Sequence, residues 1–240
     1  METSFIKEVQ QKLNAAKNIV ITTHHNPDGD AIGSVLALWF YLNKKYHADV
    51  VISNDFPEFY KWMPGADNIK IATKSKQECS ELTDKADLIF CLDFNAPDRA
   101  GNLVKDLEKS KADKILIDHH LFPSDFFKIK YSQPATSSTA ELIYEFIVAL
   151  GDEELIDYNI AVAIYVGIIT DTGSFSYSCN NPGTYAITSK LFEKGIDGAD
   201  IQRQVYCNFS ESRVRLLGYC LSEKLTILEK YSTAYIVITK

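Results

Sequence analysis

The sequence predicts an α/β protein with a mostly parallel sheet flanked by helices, followed by a helical linker and the start of a second, smaller α/β unit. Three observations predict it. Between residues 18 and 133, short apolar runs rich in β-branched residues alternate with helical spacings, the pattern of strands joined by crossover helices. Several of these runs end in His or Asp, where open α/β sheets place their ligands. From residue 137 the periodicity is helical until the last fifteen residues.

In chain order, Phe5, Ile6, Val9 and Leu13 have helical spacing, so residues 3–17 form an amphipathic helix. Residues 18–23 (Asn-Ile-Val-Ile-Thr-Thr) read as a buried strand. In the loop that follows, Pro27 restricts φ and Gly29 tolerates conformations other residues avoid. A helix runs from Ala31 to Leu42, and residues 48–53 form a second strand. Phe56, Phe59, Tyr60 and Trp62 then cluster before Pro64-Gly65, and a core role is their default reading. Residues 69–73 are a short strand or turn, 75–85 a polar helix, and 86–94 a buried strand that closes on Asp93. A helix over 98–111 precedes the strand 113–120, which ends in a histidine pair. Residues 127–133 alternate as a half-buried edge strand does. Helices are then expected over 137–150, 156–170, 181–195, 197–205 and 210–225. The final residues, 226–240, read as two strands joined at 230–233, too few for a core of their own. The resulting division is a main domain over 1–205, a linker helix over 206–225, and at 226–240 the beginning of an incomplete second domain.

Composition excludes some classes. A net charge of −7 argues against coating long nucleic acid through its phosphates. It leaves room for a local phosphate pocket, where bound cations supply the positive charge. The longest apolar runs fall short of a membrane span, each broken by Asp, Lys or Gly. The N-terminal residues lack the apolar core of a signal peptide. Cysteines 79, 91, 179, 207 and 220 show no CxxC spacing, so reduced, mostly buried thiols and a cytoplasmic location are expected.

Four of the five histidines fall in two adjacent pairs, His24-His25 and His119-His120, each just after an apolar strand. Asp28 and Asp30 share the first loop, Asp93 and Asp118 close later strands, and Asp171 follows the most apolar helix. Taken alone, residues 23–34 read equally as a metal site or as an Asx-rich turn with Asp30 as the helix N-cap. Any other single Asp is most simply a cap. Six such residues gathered at element ends are not. Parallel strands bring their carboxyl ends to one edge, so these groups should converge. Two imidazoles and four carboxylates suffice for two divalent cations that share a bridging carboxylate, an arrangement suited to phosphoryl chemistry.

Residues 23–30 (Thr-His-His-Asn-Pro-Asp-Gly-Asp), 92–94 (Leu-Asp-Phe), 118–120 (Asp-His-His) and 170–173 (Thr-Asp-Thr-Gly) resemble, in order and spacing, the four motifs of the DHH phosphoesterase superfamily. The resemblance runs from about residue 18 to 175. Within the superfamily, residues 93–99 (Asp-Phe-Asn-Ala-Pro-Asp-Arg) and 167–175 point to the RecJ-like branch of short-oligonucleotide phosphodiesterases and 3′-phosphoadenosine 5′-phosphate phosphatases. The resemblance implies that His24 and Asp28 hold one metal, that Asp30, His119 and Asp171 hold the other, and that Asp93 bridges them. His120 then faces the phosphate, so Asp93 and His120 are the expected catalytic residues. Arg99 reaches a phosphate oxygen or makes a surface ion pair. His25 holds a variable place beside the substrate, and Asp118 supports the histidines rather than the metal. Two Mn2+ ions are the implied cofactors, and Mg2+ or Co2+ suits the same ligands.

The implied substrate is a small nucleotide or short single-stranded RNA, with no membrane partner and with a homodimer left open. Pyrophosphate, polyphosphate and cyclic dinucleotides are alternatives within the same chemistry. A catalytically idle nucleotide-binding module is an alternative of another class. Family members carry a second domain with a glycine-rich segment ending in histidine. No Gly-Gly-Gly-His occurs here.

Overall fold

The computed structural model describes residues 1–239. Six parallel strands form the main sheet in the order β3-β2-β1-β4-β5-β6. The strands are β1 (Ile19–Thr23), β2 (Ala48–Ile52), β3 (Lys70–Ile71), β4 (Leu88–Leu92), β5 (Asp113–Asp118) and β6 (Ile129–Ser132). The chain winds outward from β1 to β3, then returns to β4 on the other side of β1. The strand order therefore reverses between β1 and β4, and a crevice opens above their carboxyl ends.

Both faces of the sheet are covered at its centre, which is why β1 and β4 are buried along their whole length rather than alternating with exposed polar residues. On one face, Ile19 and Ile21 of β1 join a large core with α1 (Thr3–Ala15), α2 (Gly29–Leu42), α5 (Thr139–Ala149) and α6 (Tyr158–Asp171). On the other, Val20, Ile89 and Leu116 pack with Cys79 of α3 (Lys76–Lys85) and Leu107 of α4 (Val104–Lys109). Neighbouring strand residues point to opposite faces, so one five-residue strand serves both cores. Helices α7 (Pro182–Phe192) and α8 (Gly198–Tyr206) extend the first core through Ile187, Leu191, Ile201 and Val205. The aromatic cluster takes the core role: Phe56 and Tyr60 are buried, with Phe59 and Trp62 packed alongside. Four of the cysteines are buried free thiols, and Cys207 is exposed.

Several expectations need correction. The helix expected over 98–111 is a 3-10 segment, Pro97–Leu103, that breaks at Gly101 (φ 57°) before α4 begins. Gly101 lies against His25 and Ser53, and a Cβ there would stand 2.7 Å from both His25 Nδ1 and Ser53 Oγ. The strand over 69–73 shrinks to two residues, because the amides of Lys74 and Ser75 turn back onto the Ile71 carbonyl. The long helix over 210–225 is α9 (Glu211–Tyr219) followed by a wide turn, Cys220–Lys224. After Val205, Cys220 is the only described residue that is buried. Strands β7 (Leu225–Leu228) and β8 (Thr233–Ile236) pair antiparallel as a separate hairpin, with Leu225, Ile227, Leu228, Tyr235 and Ile236 exposed. Among the described residues, no helix is long and apolar enough to cross a membrane.

Candidate metal centre

The crevice at the strand reversal collects the motif residues. His24 follows β1, Asp93 follows β4, and His119 and His120 follow β5. Asp28 and Asp30 stand at the start of α2, and Asp171 ends α6.

Asp28, not Asp30, is the N-cap of α2: its Oδ1 accepts from the amides of Asp30 and Ala31 at 3.1 Å. That corrects the reading of Asp30 as a cap of its own helix. Asp30 lies in the first turn of α2, fully buried, and caps a different helix. It accepts from Thr139 N at 2.6 Å and Ala140 N at 2.8 Å, the first amides of α5. The positive end of α5 thus compensates a buried carboxylate. Ser138 is the true N-cap of α5, and the buried Glu141 side chain reaches back to Ser137.

Asp93 has φ 64°. This left-handed conformation is tolerated by Asp better than by bulky residues. It turns the chain sharply as β4 ends, while the Asp93 amide still bonds Ile117 O of β5 at 3.2 Å. The two carboxylate oxygens of Asp93 then face different histidines. Oδ2 lies 3.4 Å from His24 Nε2, and Oδ1 lies 3.6 Å from His119 Nε2.

Two adjoining ligand sets result, His24–Asp28–Asp93 and Asp30–His119–Asp171, with a third group, Asp93–His119–His120, overlapping them, and in each the donor atoms lie within 4.8 Å of one another. His119 Nε2 is 3.1 Å from Asp171 Oδ2 and 3.6 Å from Asp93 Oδ1, so Asp93 touches both sets. His24 Nδ1 donates to the His25 carbonyl at 2.8 Å, which turns Nε2 toward Asp28 and Asp93. His120 Nδ1 donates to Asp118 Oδ1 at 2.7 Å, so Asp118 orients this ring and contributes to neither set.

The electrostatics suit cations. Burial pushes the Asp30 carboxyl well above the ordinary carboxylate range, and repulsion from Asp93 and Asp171 pushes the same way. Asp93 is raised as well, chiefly by burial. Burial works against charge on His24 and His119, yet the surrounding carboxylates prevail and lift both to about 10. Four carboxylates against two imidazoles leave excess negative charge in a buried cleft. Hard oxygens and borderline nitrogens in this arrangement fit first-row divalent ions or Mg2+.

Arg99 and His25 fall outside both sets. Arg99 is half-exposed and makes no ion pair within 4.0 Å among the described residues, while its carbonyl accepts from the His25 amide at 2.7 Å. The exposed His25 ring turns to Ser53 Oγ at 3.1 Å. Thr139 escaped sequence reasoning. Its hydroxyl donates to Asp93 Oδ1 at 3.0 Å, holding that carboxylate in place between the two sets. The visible signal was the hydroxyl run Ser137-Ser138-Thr139 at a helix start, which capping alone explained.

The model of the DHH family, N-terminal domain, matches residues 18–168. The chain belongs to the DHH family. An uncharacterised protein of Mycoplasma pneumoniae is 30% identical over 211 residues, which cover 86% of this chain and 60% of that protein. A "bifunctional oligoribonuclease and PAP phosphatase NrnA" from Thermus thermophilus is 28% identical over 85% of this chain and 58% of its own length. This DHH chain thus spans about three fifths of these relatives. A crystal structure of an exopolyphosphatase-related protein from Bacteroides fragilis is 42% identical and superimposes with a TM-score of 0.97, covering all of this chain and 70% of that one.

Proposed function

We propose that the protein is a metal-dependent phosphohydrolase acting on short oligoribonucleotides and on the 3′-phosphate of 3′-phosphoadenosine 5′-phosphate, with two Mn2+ ions. The observation that carries this reading is the double engagement of Asp93, one oxygen toward each ligand set. Bound divalent cations would supply an acidified water as nucleophile and offset charge on the phosphoryl oxygens. His24 and Asp28 hold one position; Asp30, His119 and Asp171 hold the other. Thr139 and the amides at the start of α5 keep Asp93 and Asp30 from rotating away. Asp118 fixes the His120 ring by Nδ1 and leaves Nε2 as the ring atom to face the phosphoryl group. Arg99 and His25 stand at the rim, where a longer substrate would pass. The T. thermophilus relative's name supports the substrate choice. In this reading residues 206–225 are a linker, and residues 226–240 are the beginning of a second domain.

The test compares release of phosphate or mononucleotide from 3′-phosphoadenosine 5′-phosphate, a short RNA, pyrophosphate and a cyclic dinucleotide by the manganese-loaded chain. The first two should be turned over fastest. Asp93→Ala should abolish turnover and leave the far-ultraviolet circular dichroism spectrum intact. Near-normal turnover in a stripped and reconstituted Asp93→Ala protein overturns the mechanism. Nucleotide binding without turnover of any substrate assigns an idle binding module instead.

A further inference from the structure

A cleft of about 940 Å3 adjoins the metal centre and shares His119, His120 and Asp171 with it. At its lip, immediately after the histidine pair, stand Leu121 and Phe122. Phe122 is 86% exposed, more than any other large apolar side chain among the described residues. It also has φ 59°. A bulky residue in the left-handed region is a real outlier, and such strain persists only where the surroundings impose it.

The surroundings do impose it. Asn95 Nδ2 donates to the Leu121 carbonyl at 2.8 Å, and the Ser124 amide donates back to the Asn95 carbonyl at 2.7 Å. Ser132 Oγ of β6 donates to the His120 carbonyl at 3.1 Å. The loop that displays Phe122 is therefore tied to the ends of both β4 and β6, on either side of β5. Exposure of the ring is built in, at a cost in water-contacting apolar area that nothing in the core recovers. The cleft also includes exposed Ser178 and Asn180, which offer a hydroxyl and a carboxamide.

We propose that Phe122, with Leu121 beside it in the chain, is a stacking platform for a nucleobase of the substrate, seated while the adjoining phosphate lies at His120 and the metal ligands. The inference rests on the phosphohydrolase reading and adds a selectivity to it. A flat apolar face with polar groups in the same cleft suits a base, whose π-face stacks and whose edge hydrogen-bonds. Pyrophosphate and polyphosphate would gain nothing from such a face. Continuity between the cleft and the metal centre sets the occupant: whatever stacks on Phe122 is attached to the phosphate beside it.

The test uses the manganese-loaded chain and two readouts. The first is the ratio of kcat/KM for diadenylate to that for analogues lacking one base at either position. The second is the ratio of Kd values for the same pair with the scissile oxygen replaced by methylene, which cannot be cleaved. Stacking on an aromatic side chain corresponds to roughly tenfold or more per base. Phe122→Ala should therefore reduce the preference for the base-bearing ligand about tenfold in both readouts, and Phe122→Trp should retain it. A fall in the binding ratio without cleavage of any substrate removes the hydrolytic reading and leaves the platform standing. Cleavage by the parent chain with both ratios unchanged in Phe122→Ala overturns the platform and leaves the hydrolytic reading standing. Failure of the parent chain to prefer the base-bearing ligand in either readout also overturns the platform.

Discussion

Gly33→Ala tests how the metal centre is held together. Gly33 lies on α2, one turn beyond Asp30, and faces α6 where that helix carries Ala163 and Gly167. A Cβ at Gly33 would overlap the Ala163 carbonyl oxygen and stand 3.0 Å from Gly167 N, both backbone atoms that cannot swing aside. The two helices must separate to admit a methyl group. Overpacking of this kind costs about 3 kcal/mol where the obstacle is rigid. Alanine gains about 1 kcal/mol over glycine in a helix interior, so a net loss of about 2 kcal/mol is expected. For a chain of this size that lowers the midpoint of thermal unfolding by about 4–8 °C. The same separation moves Asp30 relative to Asp171, so manganese affinity should fall together with stability. Thermal and urea unfolding, with manganese titration by calorimetry, measure both. Gly218→Ala is the control, because a Cβ there meets nothing within 4 Å. A Gly33→Ala midpoint equal to or above the parent's would refute the close approach of α2 and α6.

Two further outcomes are expected. Thr139→Val keeps the shape but removes the hydroxyl donated to Asp93, and losses of about 10-fold in metal affinity accompany the loss of such supporting bonds; calorimetric titration of manganese shows it. Asp152 accepts from Tyr41 Oη and Lys45 Nζ, tying α2 to the loop after α5, and these bonds outweigh partial burial to hold its carboxyl below the usual range. A depressed native pKa adds stability above the unfolded value of about 3.9, lost as pH falls through the native one. Asp152→Asn should therefore be less stable than the parent at pH 7, with the difference closing below about pH 4. A gap in urea midpoints that stays constant down to pH 2.5 would contradict the assignment.

Much of the architecture was legible because it is written in local periodicity. Apolar β-branched runs of five or six residues need burial on both faces, and where they alternate with helical segments a helix-covered parallel sheet provides it. The site was legible for a related reason: polar residues at strand ends lie at one edge of any parallel sheet, whatever its strand order. His24, Asp93 and His119 therefore stood out as candidates, and the fold brings the three side chains together.

The sequence by itself determined the strands, the residues that end them and the excess of carboxylates around two imidazoles. Only the tertiary structure decided which partner each residue meets. Asp30 looks from sequence like a cap for the helix it begins, and the fold gives it the amides of α5 instead, more than a hundred residues away. Thr139 looks like an ordinary helix-start residue until α5 carries it to Asp93. The helix expected after Asp98 breaks at Gly101, because that turn packs closely on His25 and Ser53. The physical reason is common to all three. Capping and periodicity act over one turn of chain, whereas the hydrogen bonds that fix a buried charge come from whatever the packed helices bring within 3 Å of it.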